Sequence, residues 1–169
     1  MSNLKKLLVI MPCYNEEEIL GLTIKTIDSL MKKWIKAKKL SASSQVCFVN
    51  DGSTDKTWEI ISKTVKKNKL FCGVNLSRNF GQQEAILAGL YSFTSDIYVT
   101  MDVDLQDPPY MLEEMYLALK TEDYDCCATR RTTRKGEPKI RSFFARMFYK
   151  LINKISKADI VDGARDFRL

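Results

Sequence analysis

Leu7-Leu8-Val9-Ile10-Met11-Pro12-Cys13-Tyr14-Asn15-Glu16 is the stretch from which the fold is read. Leu7 to Met11 is a continuous apolar run, short for a helix and suited to a strand buried on both faces. A polar group follows, Pro12 to Glu16. Then Leu20, Ile24, Ile27, Met31 and Trp34 recur at spacings of 4, 3, 4 and 3. That spacing predicts one face of an amphipathic helix. The unit is therefore buried strand, polar loop, helix.

The same alternation continues along the chain. Val46–Val49 is a second expected strand. Ser53, Thr54 and Asp55 supply cap-type residues before a helix carrying Trp58, Ile61 and Val65. Phe71–Leu76 reads as a strand, Gly81 to Phe93 as a helix and Asp96–Met101 as a strand. Asp107 before Pro108 and Pro109 predicts an N-cap with proline in the first turn, and a helix to about Lys120. Tyr124–Thr129 is the fifth expected strand. This order implies an α/β fold with a mostly parallel sheet and helices on both faces, a three-layer sandwich. It has too few strands for an eight-fold barrel. Residues 1–169 read as one domain, with a first part to residue 129 and a basic part over 130–169.

The composition is that of an ordinary globular chain, with 45% hydrophobic and 28% charged residues, which excludes a disordered or low-complexity protein. There is no histidine. Ser-His-Asp and Cys-His catalysis and His-ligated metals are thereby excluded, so proton and metal chemistry must run on carboxylates, amides and basic groups. The five cysteines form no CxxC pair and read as reduced, buried thiols. The apolar run at the N-terminus is too short for a signal peptide, and no stretch approaches the ~20 apolar residues of a membrane helix. The chain as given reads as soluble, on its own or as the soluble part of a longer protein.

The net charge of +6 is unevenly placed. Arg130 to Lys157 holds ten Lys/Arg against one acid, Glu137, a local charge of +9 that leaves the rest at −3. Such a block suits phosphates, an anionic membrane or nucleic acid. Within it, Ile140, Phe143, Phe144, Met147, Phe148, Leu151, Ile152 and Ile155 make an apolar helical stripe opposite the basic residues. Residues 140–157 could lie at a membrane surface or pack on further protein segments.

In open α/β sheets ligands bind beyond the C-terminal ends of the strands. Four polar clusters fall at such ends: Pro12–Glu16, Asn50–Asp55, Ser77–Gly81 and Asp102–Asp107. In extended chain Asp102 and Asp104 point to one face, about 6–7 Å apart at ~3.3 Å per residue. Like carboxylates that close call for a cation. With the Gln106 amide nearby, the oxygen-only set suits Mg²⁺ or Mn²⁺. Asp51-Gly52-Ser53 carries neither the GxGxxG nor the P-loop fingerprint. Asp51 suits a base N–H or a ribose hydroxyl, and Tyr14 can stack on a ring. Arg78 can reach a diphosphate, brace the metal loop or pair with a rim aspartate.

Met11–Glu16, Val49–Asp55, Asn75–Gly81 and Met101–Pro109 together resemble glycosyltransferase family 2, in its dolichol-phosphate mannosyltransferase and bacterial polyprenyl-phosphate branch. The likeness runs from Leu7 to Leu169. It implies a GT-A fold and a UDP- or GDP-sugar donor. Pro12, Tyr14, Asn15, Glu16, Asp51, Arg78 and Asp102 would serve the nucleotide. Asp102, Asp104 and Gln106 would hold the metal, with Asp104 essential for transfer. Gly163–Leu169 resembles the family's later acidic motif and would make Asp166 the catalytic base. Asn50 departs from the aspartate common in relatives. Lipid-acceptor members carry further helices after this motif and work at the cytoplasmic side of a membrane.

The implied reaction is metal-dependent, inverting transfer of a sugar to an acceptor. A polyprenyl phosphate acceptor is already anionic, and Arg130, Arg131 or Arg134 would hold it in fork geometry. A glycan hydroxyl would need Asp166 as base. Two other classes fit parts of the sequence. A receiver-like signalling module would use the rim aspartates for Mg²⁺ and phosphate. A nucleic-acid-binding domain would use the basic block, but no reading motif for RNA or DNA is present.

Overall fold

The computed structural model describes residues 4–106, 108–121, 125–130 and 164–168. The chain divides into two compact units, Met1–Cys127 with Phe167–Leu169, and Ala128–Asp166. In the first unit β1 (Leu7–Cys13), α1 (Glu17–Lys36), β2 (Gln45–Asn50), α2 (Thr57–Lys67), β3 (Phe71–Asn75), α3 (Gln82–Ser92), β4 (Ile97–Thr100) and α4 (Met111–Thr121) follow in order. The parallel strands lie in the order β3-β2-β1-β4. β6 (Ala164–Arg168) begins in the second unit and ends in the first, where Arg168 pairs antiparallel with Thr100. In the second unit β5 (Ala128–Arg130) neighbours β6.

The alternation of side chains along the strands makes two cores. Leu7, Val9, Met11 and Cys13 of β1 join Val46 and Phe48 of β2 on one face. There they meet Leu20, Ile27, Met31 and Trp34 of α1, Ile61 of α2, and Leu112 and Met115 of α4. Leu8, Ile10, Cys47 and Val49 face the other way, against Ala85 of α3. Burying one such Leu or Ile side chain contributes about 1.5–3 kcal/mol. Gly89 sets how closely α3 approaches the sheet, since a Cβ there would stand 2.7 Å from Ile10 Cγ2.

The chain leaves β1 through α1 to β2 and through α2 to β3, then crosses back to β4 on the other side of β1. The strand order therefore reverses between β1 and β4, which is where an open sheet opens a crevice at its C-terminal edge.

Several expectations need correction. α4 starts at Met111 and not at the prolines. Met111 N–H donates to Pro108 O at 3.0 Å and Leu112 N–H to Pro109 O at 3.2 Å, so the prolines form a turn before the helix. Asp107, the expected cap, lies outside the described residues. Asp125 to Cys127 are not in a strand, and β5 is three residues long. Cys126 is exposed, against the expectation of five buried thiols, while Cys13, Cys47 and Cys72 are buried. β6 had no counterpart in the expected elements. Its antiparallel pairing with β4 puts a strand of local polar sequence beside a parallel sheet, a common edge arrangement. Among the described residues no helix is long and apolar enough to cross a membrane.

Candidate active site

The loops after β1 and β2 are stitched together by side chains. Asn15 sits at φ 55, the left-handed region that asparagine tolerates. That turn lets Asn15 N–H donate to Ser53 Oγ at 3.0 Å while Asn15 Oδ1 accepts from Thr54 N–H at 2.8 Å. Glu16 N–H donates to Thr57 Oγ1 at 2.8 Å. Asp55 takes Thr57 N–H at 2.9 Å and Glu17 N–H at 3.1 Å, so one carboxylate serves the starts of both α1 and α2.

The loop after β3 is held by Asp51. Its Oδ1 accepts from Phe80 N–H at 2.8 Å and its Oδ2 from Gly81 N–H at 2.9 Å. Gly52, at φ +66, lies under the same loop, and a Cβ there would come within 2.3 Å of the Arg78 carbonyl carbon. Only glycine admits that approach. The loop after β4 is anchored from α1, where the Thr23 hydroxyl donates to Val103 O at 2.6 Å.

These four loops enclose a cavity of about 350 Å³ at the C-terminal edge of the sheet. Pro12, Cys13, Tyr14 and Glu16 line it from β1, and Asp51 from β2. Asn79, Gly81 and Gln82 line it from the start of α3, and Asp102, Val103 and Asp104 from the end of β4. Four carboxylates therefore face one space, and among the described residues no lysine or arginine is on its wall. Burial, and then the charges of Asp104, Asp55 and Asp102, hold the Glu16 carboxyl above the ordinary carboxylate range. Burial, with Glu16 beside it, pushes the Cys13 thiol strongly upward, which disfavours its thiolate.

The donor set fits a hard divalent cation. Asp102 and Asp104 reach the same cavity, although not through the extended geometry that their spacing predicts. β4 ends at Thr100, and Asp104 Oδ1 accepts from Gln106 N–H at 3.0 Å, closing an Asx turn with Leu105 at φ 56. Among the described residues no cluster of three or more acidic or thiol groups is arranged to hold a metal. Two carboxylates suffice for Mg²⁺ or Mn²⁺ when substrate phosphates and water complete the shell.

Other expected site residues are placed differently. The Asn15 carboxamide is spent on Thr54 and does not line the cavity. Gln106 meets Asp104 through its backbone and does not line the cavity either. Arg78 lies over the Phe80 ring at 4.7 Å from its centroid, away from the cavity wall. Asp166 is in β6, with only its backbone described, as is Arg130 in β5. Arg131, Arg134 and the stripe over 140–157 lie outside the described residues. One polar wall residue, Gln82, escaped the sequence reading. Gln82 donates through Nε2 to Asp102 Oδ1 at 2.9 Å, and Asn79 joins the wall beside it. A polar residue directly after the helix-starting Gly81 was the available signal.

The family model "Glycosyl transferase family 2" matches residues 8–169. The chain therefore belongs to glycosyltransferase family 2. It is 33% identical over 168 residues to the prophage bactoprenol glucosyl transferase homolog of Escherichia coli, covering 97% of this chain and 51% of that protein. The chain spans about half the length of the curated relatives it matches. Among solved structures it resembles the mannosyltransferase PcManGT of Pyrobaculum calidifontis in complex with GDP-Man and Mn²⁺. There the TM-score is 0.61 at 19% identity, over 90% of this chain and 39% of that one. It also resembles S. aureus TarS 1-349 in complex with UDP-GlcNAc, with TM-score 0.56 at 21% identity, over 79% of this chain and 36% of that one. The fold is that of the GT-A glycosyltransferases.

Proposed function

We propose that this chain carries the donor-binding domain of a glycosyltransferase that moves a sugar from a nucleoside-diphosphate sugar to a polyprenyl phosphate at the cytoplasmic face of a membrane. The observation that carries the donor part is the charge of the cavity. A diphosphate is an anion, and four carboxylates, with no basic residue among the described ones on the wall, repel it unless a cation stands between. Mg²⁺ or Mn²⁺ held by Asp102 and Asp104, with Gln106 as a further candidate ligand, would offset the charge that develops on the leaving diphosphate.

The chain's own groups do the rest. Tyr14, half-exposed at the cavity mouth, offers a face for a base ring. Asp51 uses two of roughly four lone-pair sites on Phe80 and Gly81, leaving acceptors for a base N–H. Pro12 and Glu16 close the nucleoside side. Gln82 orients Asp102 by its hydrogen bond. The acceptor attacks from the opposite face of the sugar, giving inversion. Arg130, Arg131 and Arg134 hold a phosphate acceptor; with a hydroxyl acceptor Asp166 takes the proton. The name of the bactoprenol relative and the basic block favour the lipid phosphate.

Titration calorimetry with UDP, GDP and their sugars tests the donor site. Binding is expected in Mn²⁺ or Mg²⁺ and at least tenfold weaker in excess chelator, and Asp104→Ala should remove the metal dependence while leaving the melting profile cooperative. Equal affinity with and without chelator overturns the reading.

A further inference from the structure

The opposite end of the sheet carries a second cavity, of about 430 Å³. Lys6 precedes β1, Gln45 opens β2, and Lys69 and Leu70 precede β3, so these residues mark the N-terminal edge of the parallel strands. β1 runs seven residues from this edge to the first cavity, about 23 Å at ~3.3 Å per residue. The two cavities share no lining residue.

Its chemistry is the inverse of the first. Lys6, Lys32 and Lys69 line it, and among the described residues no carboxylate does. Ser43, Ser44 and Gln45 add hydroxyl and amide groups, over an apolar floor that includes Ile35 and Leu70. Two acids lie nearby, and one of them already pairs with a lining lysine. Asp28 pairs with Lys32 at 2.7 Å and also accepts from Asn68, and Asp96 accepts from the backbone N–H of Lys6 at 2.7 Å. Lys6 is held in place, its ammonium donating to Thr94 O at 2.7 Å. Lys6 and Lys69, with Lys32 shared with Asp28, leave this cavity with an excess of positive charge beside apolar side chains. Lysine is a point charge suited to phosphate oxygens, and hydroxyls complete their shell.

We propose that this cavity is a second binding site, specific for a phosphate-type oxyanion, whether free phosphate or a phosphate headgroup. The site is independent of the donor reading. The test uses the full chain, ¹⁵N-labelled, without nucleotide or divalent metal. Inorganic phosphate is expected to shift the amides of Ser43, Ser44, Gln45, Lys69 and Leu70 saturably. The doubly substituted Lys6→Gln, Lys69→Gln chain should bind at least tenfold more weakly, while Lys6→Arg with Lys69→Arg retains binding and shows that the fold is kept. Vesicles of phosphatidylglycerol in phosphatidylcholine separate the sources. Association weakened by the Gln pair identifies a headgroup, and association unchanged by it identifies free phosphate. Shifts that stay linear, spread over exposed lysines such as Lys36 and Lys66, or ignore the Gln pair overturn the proposal.

Discussion

Glu16, Asp51, Asp102 and Asp104 share one cavity wall, and their neighbours give them different tasks. Asp51 is buried and holds two backbone N–H groups, so its first task is to fix the Ser77–Gly81 loop. Asp102 is oriented by Gln82, and Asp104 by its own turn. Glu16 is affected first by burial and then by the charges of Asp104, Asp55 and Asp102. Its carboxyl is raised in the folded chain, so the unfolded chain loses that proton first as pH rises. The folded state is then penalised from the unfolded pKa upward, and the penalty is complete above the folded one. In metal-free protein, the melting temperature of Glu16→Gln relative to the parent should therefore climb between pH 4 and pH 7, and Mn²⁺ should narrow the gap. A difference that stays constant with pH would show that the repulsion is not felt at Glu16. The residue types at this wall were legible from their clustering at strand ends. The division of labour among them was not, because it depends on which backbone amides the fold brings to each oxygen.

At the scale of elements, the strands β1 to β4 and the helices between them match the expected alternation, because burial on two faces and helical spacing leave separate imprints. The ends were harder to read. Proline is favoured in a first helical turn, yet here Pro108 and Pro109 precede α4 as acceptors of a tighter turn. The short β5 and the antiparallel β6 depend on partners distant in sequence, which local patterning does not report. The start of α2 carries its own test. Asp55 accepts N–H groups at the first turns of two helices, so Asp55→Ala should cost about 1–2 kcal/mol in chemical denaturation. For a chain of this size that is a melting temperature lower by roughly 2–8 °C. No measurable loss would mean that water replaces the carboxylate at both helices.

For the whole molecule, charge is sorted by place. The cavity at the C-terminal edge is acidic, the opposite edge of the sheet holds three lysines, and the segment from Arg130 to Lys157 carries +9. The apolar stripe in that segment predicts that the chain floats with phosphatidylglycerol vesicles at low salt and releases as salt rises, since exposed charges are screened over about 8–10 Å near physiological ionic strength. Replacing Phe143, Phe144 and Phe148 by serine should abolish flotation. Flotation indifferent to both would remove the membrane-surface role of residues 140–157.

Periodicity, the four polar clusters and the lack of histidine were enough to define an α/β chain with carboxylates gathered at one edge of a sheet, because burial and residue chemistry are written locally. Folding alone revealed that Asn15 and Asp51 brace loops, that Gln82 reaches Asp102, and that Lys6, Lys32 and Lys69 meet at the far edge. Those facts arise from parallel strands aligning residues tens of positions apart, a distance over which a linear pattern carries no record of contact.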